Sequence, residues 1–290
     1  MRDCGLKGNW LKENGRRYVV EVRRSCRKRE LLMVRERQMD RIRAEQIFRD
    51  YSEKYDTSDV KITLKIDHTF RVACITDRIA VSLKADRDFA WFLGLLHDIA
   101  RFEQHTRYGT FKDAKSVDHA EFGADLLFRG DRLIDAFPKY TGISDWESVA
   151  ETAIRLHNKL NLPDGLDKTS YLYSTILRDA DKCDIFRVLT EPPFDERNVR
   201  ICEAADPARD VIMDCVRGHR CVPRTFERSE FESLISQCCM AFELVYPESR
   251  KIVSEQGYLD KLLSVGTEGS AKEQMEMLRA EIKKAWEETE

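Results

Sequence analysis

Apolar residues recur at three- and four-residue spacing along most of the chain, the repeat of helices with one buried face. Residues 34–55 carry a thin stripe of Ile42, Ile47 and Tyr51 among charges. Residues 67–84 place His68, Val72, Ile75, Ile79 and Leu83 on one face, with Asp67 as the cap and His68 at the helix start. A helix over 86–104 is more apolar, with Phe89, Phe92, Leu93, Leu96, His97 and Ala100 facing inward, and is expected to be central. Residues 102–117 read as a loop. Asp118-His119-Ala120-Glu121 reads as a capping box opening a helix through Phe128. Further helices are predicted over 144–160, with Val149, Ala153, Leu156 and His157 on one face, and over 169–189. Beyond Pro192-Pro193 come shorter helices over 197–263 and a last one over 271–288. Tyr18–Val22 is the best strand candidate. The expected fold is all-α: a basic extension over 1–40, a helical bundle over 41–195 and a helical extension over 196–290 that packs on the core. That last segment carries no chemistry of its own. It could lengthen the core, complete a pocket wall or form the contact of a homodimer.

Composition narrows the function classes. The chain has 290 residues, 42% hydrophobic and 35% charged, enough for a sizeable core. The net charge of −3 is uneven, because residues 1–40 carry 12 Lys+Arg against 6 Asp+Glu. The remaining body is acidic, which argues against a nucleic-acid partner. The basic leader is expected to be a poorly ordered extension, or sequence upstream of a start at Met33 or Met39. No run of eighteen apolar residues and no signal peptide is visible, so no membrane partner is expected. Nine scattered cysteines without CxxC pairs read as reduced thiols of a cytoplasmic protein. Cys215, His219 and Cys221 lack a fourth zinc ligand.

Six residues stand out as chemistry. His68, the pair His97-Asp98, His119, His157 and Asp181 follow in order through predicted helices, and they take four of the six histidines. Imidazole with carboxylate suits Zn, Fe, Mn, Co or Ni better than Ca or Mg. Adjacent residues on a helix point about 100° apart, so His97 and Asp98 both reach an ion at the helix edge, and Asp98 could bridge two. His68, His97, Asp98 and Asp181 would make one site, and His119 and His157 would serve a second. His119 alternatively sits in a first helical turn, where it could bind a substrate phosphate.

The order H…HD…H…H…D, with LLHDIARFEQ and RDADKCDIFRVL, resembles the HD-domain superfamily of metal-dependent phosphohydrolases over roughly residues 60–195. The resemblance implies one or two divalent transition-metal ions. It carries His68, His97, Asp98 and Asp181 over as the primary ligands, and His119 and His157 as the extra histidines of two-metal members. Asp179 is a rival to Asp181, which fits better before Lys182. The implied reaction is cleavage of a phosphomonoester or phosphodiester, of a nucleotide in the first instance, by a metal-activated water. Asp98, Arg101, Lys115 and Lys182 are the candidate catalytic groups. Arg71, Arg101, Arg107, Tyr108 and Lys115 are the candidate substrate contacts. Asp184 is placed to orient a ligand. The loop 102–117, through Tyr108 and Phe111, is expected to cover the site. Two alternatives share the pattern: a di-iron oxygenase acting on a small phosphonate or polyol-like compound, and a non-catalytic ligand sensor. No GYP follows the dyad, which speaks against a cyclic dinucleotide.

Overall fold

The computed structural model describes residues 39–288 apart from 193, 204–205, 224 and 266–268. Residues 1–38 of the basic extension, with the Tyr18–Val22 strand candidate and Met33, lie outside the described residues, whereas Met39 is buried and Asp40 caps the helix that follows it. Among those described there is no strand, and the fold is all-α. Seven helices form the first part of the fold: α1 (Arg41–Ser52), α2 (Val60–Ser82), α3 (Arg87–Leu96), α4 (Arg101–Tyr108), α5 (His119–Phe128), α6 (Trp146–Leu156) and the long α7 (Lys168–Val188). Then come α8 (Phe194–Glu203), α9 (Asp210–Arg217), α10 (Glu230–Cys238), α11 (Pro247–Gln256), α12 (Tyr258–Leu262) and α13 (Gly269–Glu287).

Aspartates set most of the helix starts. Asp40, Asp59, Asp86, Asp118 and Asp167 each accept a hydrogen bond from a backbone N–H of the first turn. The cap of α2 is therefore Asp59 and not Asp67, and the helix begins at Val60. His68 then lies in the third turn, fully buried, where the flanking helices fix it. Asp118 caps α5 as expected, but Glu121 does not reach back to close a box. Its carboxylate accepts from Arg155 at 2.6 Å instead.

The predicted helix over 86–104 is divided. Between α3 and α4 the chain tightens into i→i−3 bonds, Ile99 N to Leu96 O and Arg101 N to Asp98 O. The tight turn lies on the His97-Asp98 pair. Part of the expected loop 102–117 is thus helix α4, and a single 3₁₀ turn follows at Asp113–Lys115.

Helices α2, α3 and α7 pack around the centre, with Phe89, Phe92, Leu93, Leu96, Ile79 and Leu177 buried between them. One glycine sets their spacing. A Cβ on Gly94 would lie 2.6 Å from Ala73 Cα and 2.8 Å from Ala73 N, so only glycine lets α3 sit against the backbone of α2. That close approach also brings His97 to His68. An alanine in a helix interior normally stabilises by about 1 kcal/mol over glycine. Here Gly94→Ala is expected to do the reverse, destabilising by about 1–3 kcal/mol through overpacking against rigid backbone. Thermal unfolding would show a melting temperature several degrees lower; an unchanged or higher value would contradict the packing described.

The C-terminal segment meets the bundle along α7. Buried Asp179 accepts from Val245 N and from Tyr246 N at 3.0 Å. Arg78 of α2 pairs with Glu248 and Glu255 of α11. Helices α11 and α12 both pack on α7.

Candidate metal centre

Five helical regions deliver side chains to one buried volume. His68 comes from α2, His97 and Asp98 from the turn after α3, His119 from the start of α5 and His157 from the end of α6, while Asp181 comes from the middle of α7. His68 Nε2 lies 3.2 Å from Asp181 Oδ1, 3.4 Å from His97 Nε2 and 3.5 Å from Asp98 Oδ2. His97 Nε2 lies 3.7 Å from Asp181 Oδ1 and 3.6 Å from Asp98 Oδ2. A second group uses the other oxygen of Asp98. His119 Nε2 is 3.5 Å and His157 Nε2 is 3.8 Å from Asp98 Oδ1, and the two nitrogens are 2.9 Å apart. Ligand atoms around one ion at about 2.1 Å sit roughly 3.0–3.5 Å from each other, so both groups are close to coordination spacing.

The decisive detail is on the far side of each ring. His68 Nδ1 donates to Asp184 Oδ2, His97 Nδ1 to Gly94 O, His119 Nδ1 to Asp113 Oδ2 and His157 Nδ1 to Ile154 O, all at 2.7 Å. Each bond places the ring proton on Nδ1 and leaves Nε2 as a lone pair. Four such lone pairs and two carboxylates then face one another, and of these Lys65 and Arg101 reach only Asp98. Such an arrangement is repulsive unless positive charge sits among the groups. The donor set therefore fits divalent cations, with His68, His97 and Asp181 able to hold one and Asp98, His119 and His157 another, while Asp98 Oδ2 also stands 3.5 and 3.6 Å from the first two histidines.

The titration of these groups reflects the same crowding. Burial pushes the Asp98 carboxyl up, but Lys65 and then His97, Arg101 and His119 outweigh it and hold it well below the usual range. Asp181 likewise lies low against its burial, with the His68 and His97 rings against its carboxylate. Burial and Lys65 depress His68, yet its contacts with Asp181 and Asp184 raise it overall. His157 is lowered to about 3 by burial, then by His119 and His97.

The other expected residues divide. Arg101 belongs to the site: its Nε is 3.3 Å from Asp98 Oδ1, and Nη1 donates to Gln104, Phe111 O and Asp113. Lys182 lines the adjoining cavity. Arg71 instead grips Asp184 with two bonds, at 2.7 and 2.9 Å, and so steadies His68. Asp184 thereby orients His68, while Asp179 is spent on the backbone of 245–246 and holds no metal position. Arg107, Tyr108 and Lys115 are not among the residues lining the cavity. Arg107 pairs with Glu103 one turn back, and Tyr108 is 46% exposed. The expected cover through Tyr108 fails because helix α4 turns that ring outward; Phe111 remains near, its ring under the charges of Lys65 and Arg101. Cys215, His219 and Cys221 do not converge: His219 pairs with Glu281, and both thiols donate to backbone carbonyls.

Two residues are new to the site. Lys65 Nζ lies 2.7 Å from Asp98 Oδ2, and Asp113 holds His119. Lys65 precedes His68 by three, the spacing that shares a helix face, which was a usable signal. Asp113 gives none, since it lies in a polar stretch. Asp113→Ala is expected to weaken ion binding at the His119–His157 group by roughly 10–100-fold, because the ring loses its anchor. Titration with Mn²⁺ would then show two unequal affinities, only one of them changed.

An all-helical bundle that gathers buried histidines and aspartates around one centre is a metal-binding domain. Residues 66–185 match the family model of the HD domain. The HD-domain superfamily is composed mostly of metal-dependent phosphohydrolases. Comparisons with curated proteins and with solved structures gave no match. No helix among the described residues is long and apolar enough to cross a membrane.

Proposed function

We propose that the chain is a two-ion phosphohydrolase acting on a small phosphorylated substrate of about nucleotide size. The observation that carries this reading is the pair of ligand groups sharing Asp98 through its two oxygens. A bound divalent ion supplies acidified water near neutral pH and polarises a phosphoryl oxygen. The chain itself supplies the setting. Four imidazoles are fixed through Nδ1, so the site needs no rearrangement to offer its lone pairs. Lys65 and Arg101 stand on the two oxygens of Asp98 and bring positive charge to where a phosphoryl group would lie. Arg101 is held in place by Phe111 O at 2.7 Å and by Gln104 and Asp113. A cavity of about 370 Å³ opens from Asp98, His119, His157 and Asp181, within the range of small-molecule sites. A larger hollow of about 900 Å³ near Arg209 and Glu232 shares no residue with the cluster.

The test is a phosphate-release screen over nucleotides and sugar phosphates with Mn, Fe, Co, Ni and Zn, using Asp98→Ala as control. Metal-dependent release lost in that variant supports the reading. Oxygen uptake with two bound irons and no phosphate release would replace it by the oxygenase alternative.

A further inference from the structure

The cavity beside the ligand cluster has a second end, built where α7 meets the C-terminal segment. Lys182 is 7% exposed and lines the cavity, and its buried Nζ has no hydrogen-bond acceptor. Glu243 Oε2 is 3.1 Å away, an ion pair without hydrogen-bond alignment. A buried ammonium whose three donors have one ion-pair partner and no aligned hydrogen bond is under-satisfied, and a ligand oxygen can take the spare donors. Its neighbours leave the charge unbalanced. Glu243 also faces Arg178 Nη2 at 3.6 Å, and Arg178 has a buried Nε with no partner. Arg228 lines the same cavity, and its guanidinium donates to Ser236 Oγ at 2.5 Å. Glu243 therefore faces two cations, and Arg228 adds a third positive charge to the cavity wall. No Phe, Tyr or Trp is among the lining residues, so a nucleobase finds no aromatic ring to stack on.

From this we infer that the substrate carries a second anionic group, a phosphate or a carboxylate, held by Lys182 and Arg228 while its reacting phosphate sits at the ligand cluster. The inference deepens the phosphohydrolase reading and rests on the same cavity. It makes Lys182 and Arg228 determinants of specificity.

Binding of non-hydrolysable probes tests it apart from catalysis. Titration calorimetry on the full chain with Mn²⁺ would compare alkane bisphosphonates of three to six carbons with monophosphonates of the same length. At the best length the bisphosphonate is expected to bind roughly tenfold tighter or more. Matched phosphonocarboxylates tell whether the second group is a carboxylate. In Lys182→Met/Arg228→Met the advantage is expected to vanish, with the loss confined to the two-anion probes. If the double variant fails to fold, Arg228→Met alone is expected to lose most of it. Equal binding of mono- and bisphosphonates by the wild type, or a preference that survives the substitutions, would overturn the inference. A bisphosphonate preference without phosphate release from any substrate would remove the hydrolase reading and leave this one standing.

Discussion

Asp98→Ala is expected to abolish metal-dependent turnover, by at least about a thousandfold, and to do so without dismantling the bundle. The reason is geometric. Asp98 is the one carboxylate whose two oxygens serve both ligand groups, Oδ2 toward His68 and His97 and Oδ1 toward His119 and His157. Every other ligand serves one group, so its loss leaves the other partly formed. Asp98 also anchors Lys65 and Arg101, the two cations best placed for a phosphoryl group. The helical core does not depend on it, since Phe89, Phe92, Leu93 and Leu96 bury the preceding helix independently. The expected result is therefore a folded protein, by circular dichroism and a cooperative melt, with no metal-dependent phosphate release. Substantial residual turnover would mean that the two groups do not act through a shared carboxylate.

Metal removal is expected to have the second large effect, on stability. A ligand present at about a thousand times its Kd stabilises the folded state by about 4 kcal/mol. In a domain of this size that corresponds to a melting temperature roughly 10 °C higher. Chelation should remove the increment, and restoring Mn²⁺ should return it. The pH dependence has a definite sign. His119 is held below the ordinary imidazole value by burial and then by Arg101; His157 is held near 3 by burial and its neighbouring histidines. Their folded values are depressed, so the unfolded chain takes up protons first as pH falls below about 6.5. Their share of stability is present at neutral pH and is lost between about 6.5 and 3. His68 is raised and works the other way, its share fully present below about 6.5 and lost as pH rises through its folded value. Two depressed groups against one raised group give a metal-free protein that loses stability on acidification to pH 5. Protons also compete for the Nε2 lone pairs, so the chelation effect should shrink over the same range. Melting curves with and without chelator at pH 7.5 and 5 check both statements. A chelation effect that grows at pH 5 would contradict them.

Much of the centre was legible in the sequence because ligand chemistry and helical repeat act on the same positions. His68 and His97 sit in apolar stripes, where a polar side chain is costly without a role, and that made them visible. Asp98 was visible through its neighbour. The helix register was less so. Asp59 and Asp67 are equal as caps in composition, and only the packing of Ile62 decides for the first. The close approach at Gly94 leaves no mark in the sequence beyond the glycine itself. Charged residues near the motif were the hardest to assign. Arg71, Arg101, Arg107 and Lys115 look alike in a string of letters, yet Arg101 faces Asp98 and Arg71 steadies Asp184, while Arg107 and Lys115 stay outside the cavity. The contributions of Asp113 and Glu243 depend on contacts from parts of the chain that share no periodicity with the ligands.

Counting bound metal is the most direct test of the claim that these side chains share a pair of cations. Mass-spectrometric metal analysis of reconstituted, desalted protein is expected to give two ions per chain for the wild type and one for His119→Ala/His157→Ala. A folded wild type that retains no ion would contradict the account. So would an ion that stays bound in His68→Ala/His97→Ala and in Asp98→Ala alike.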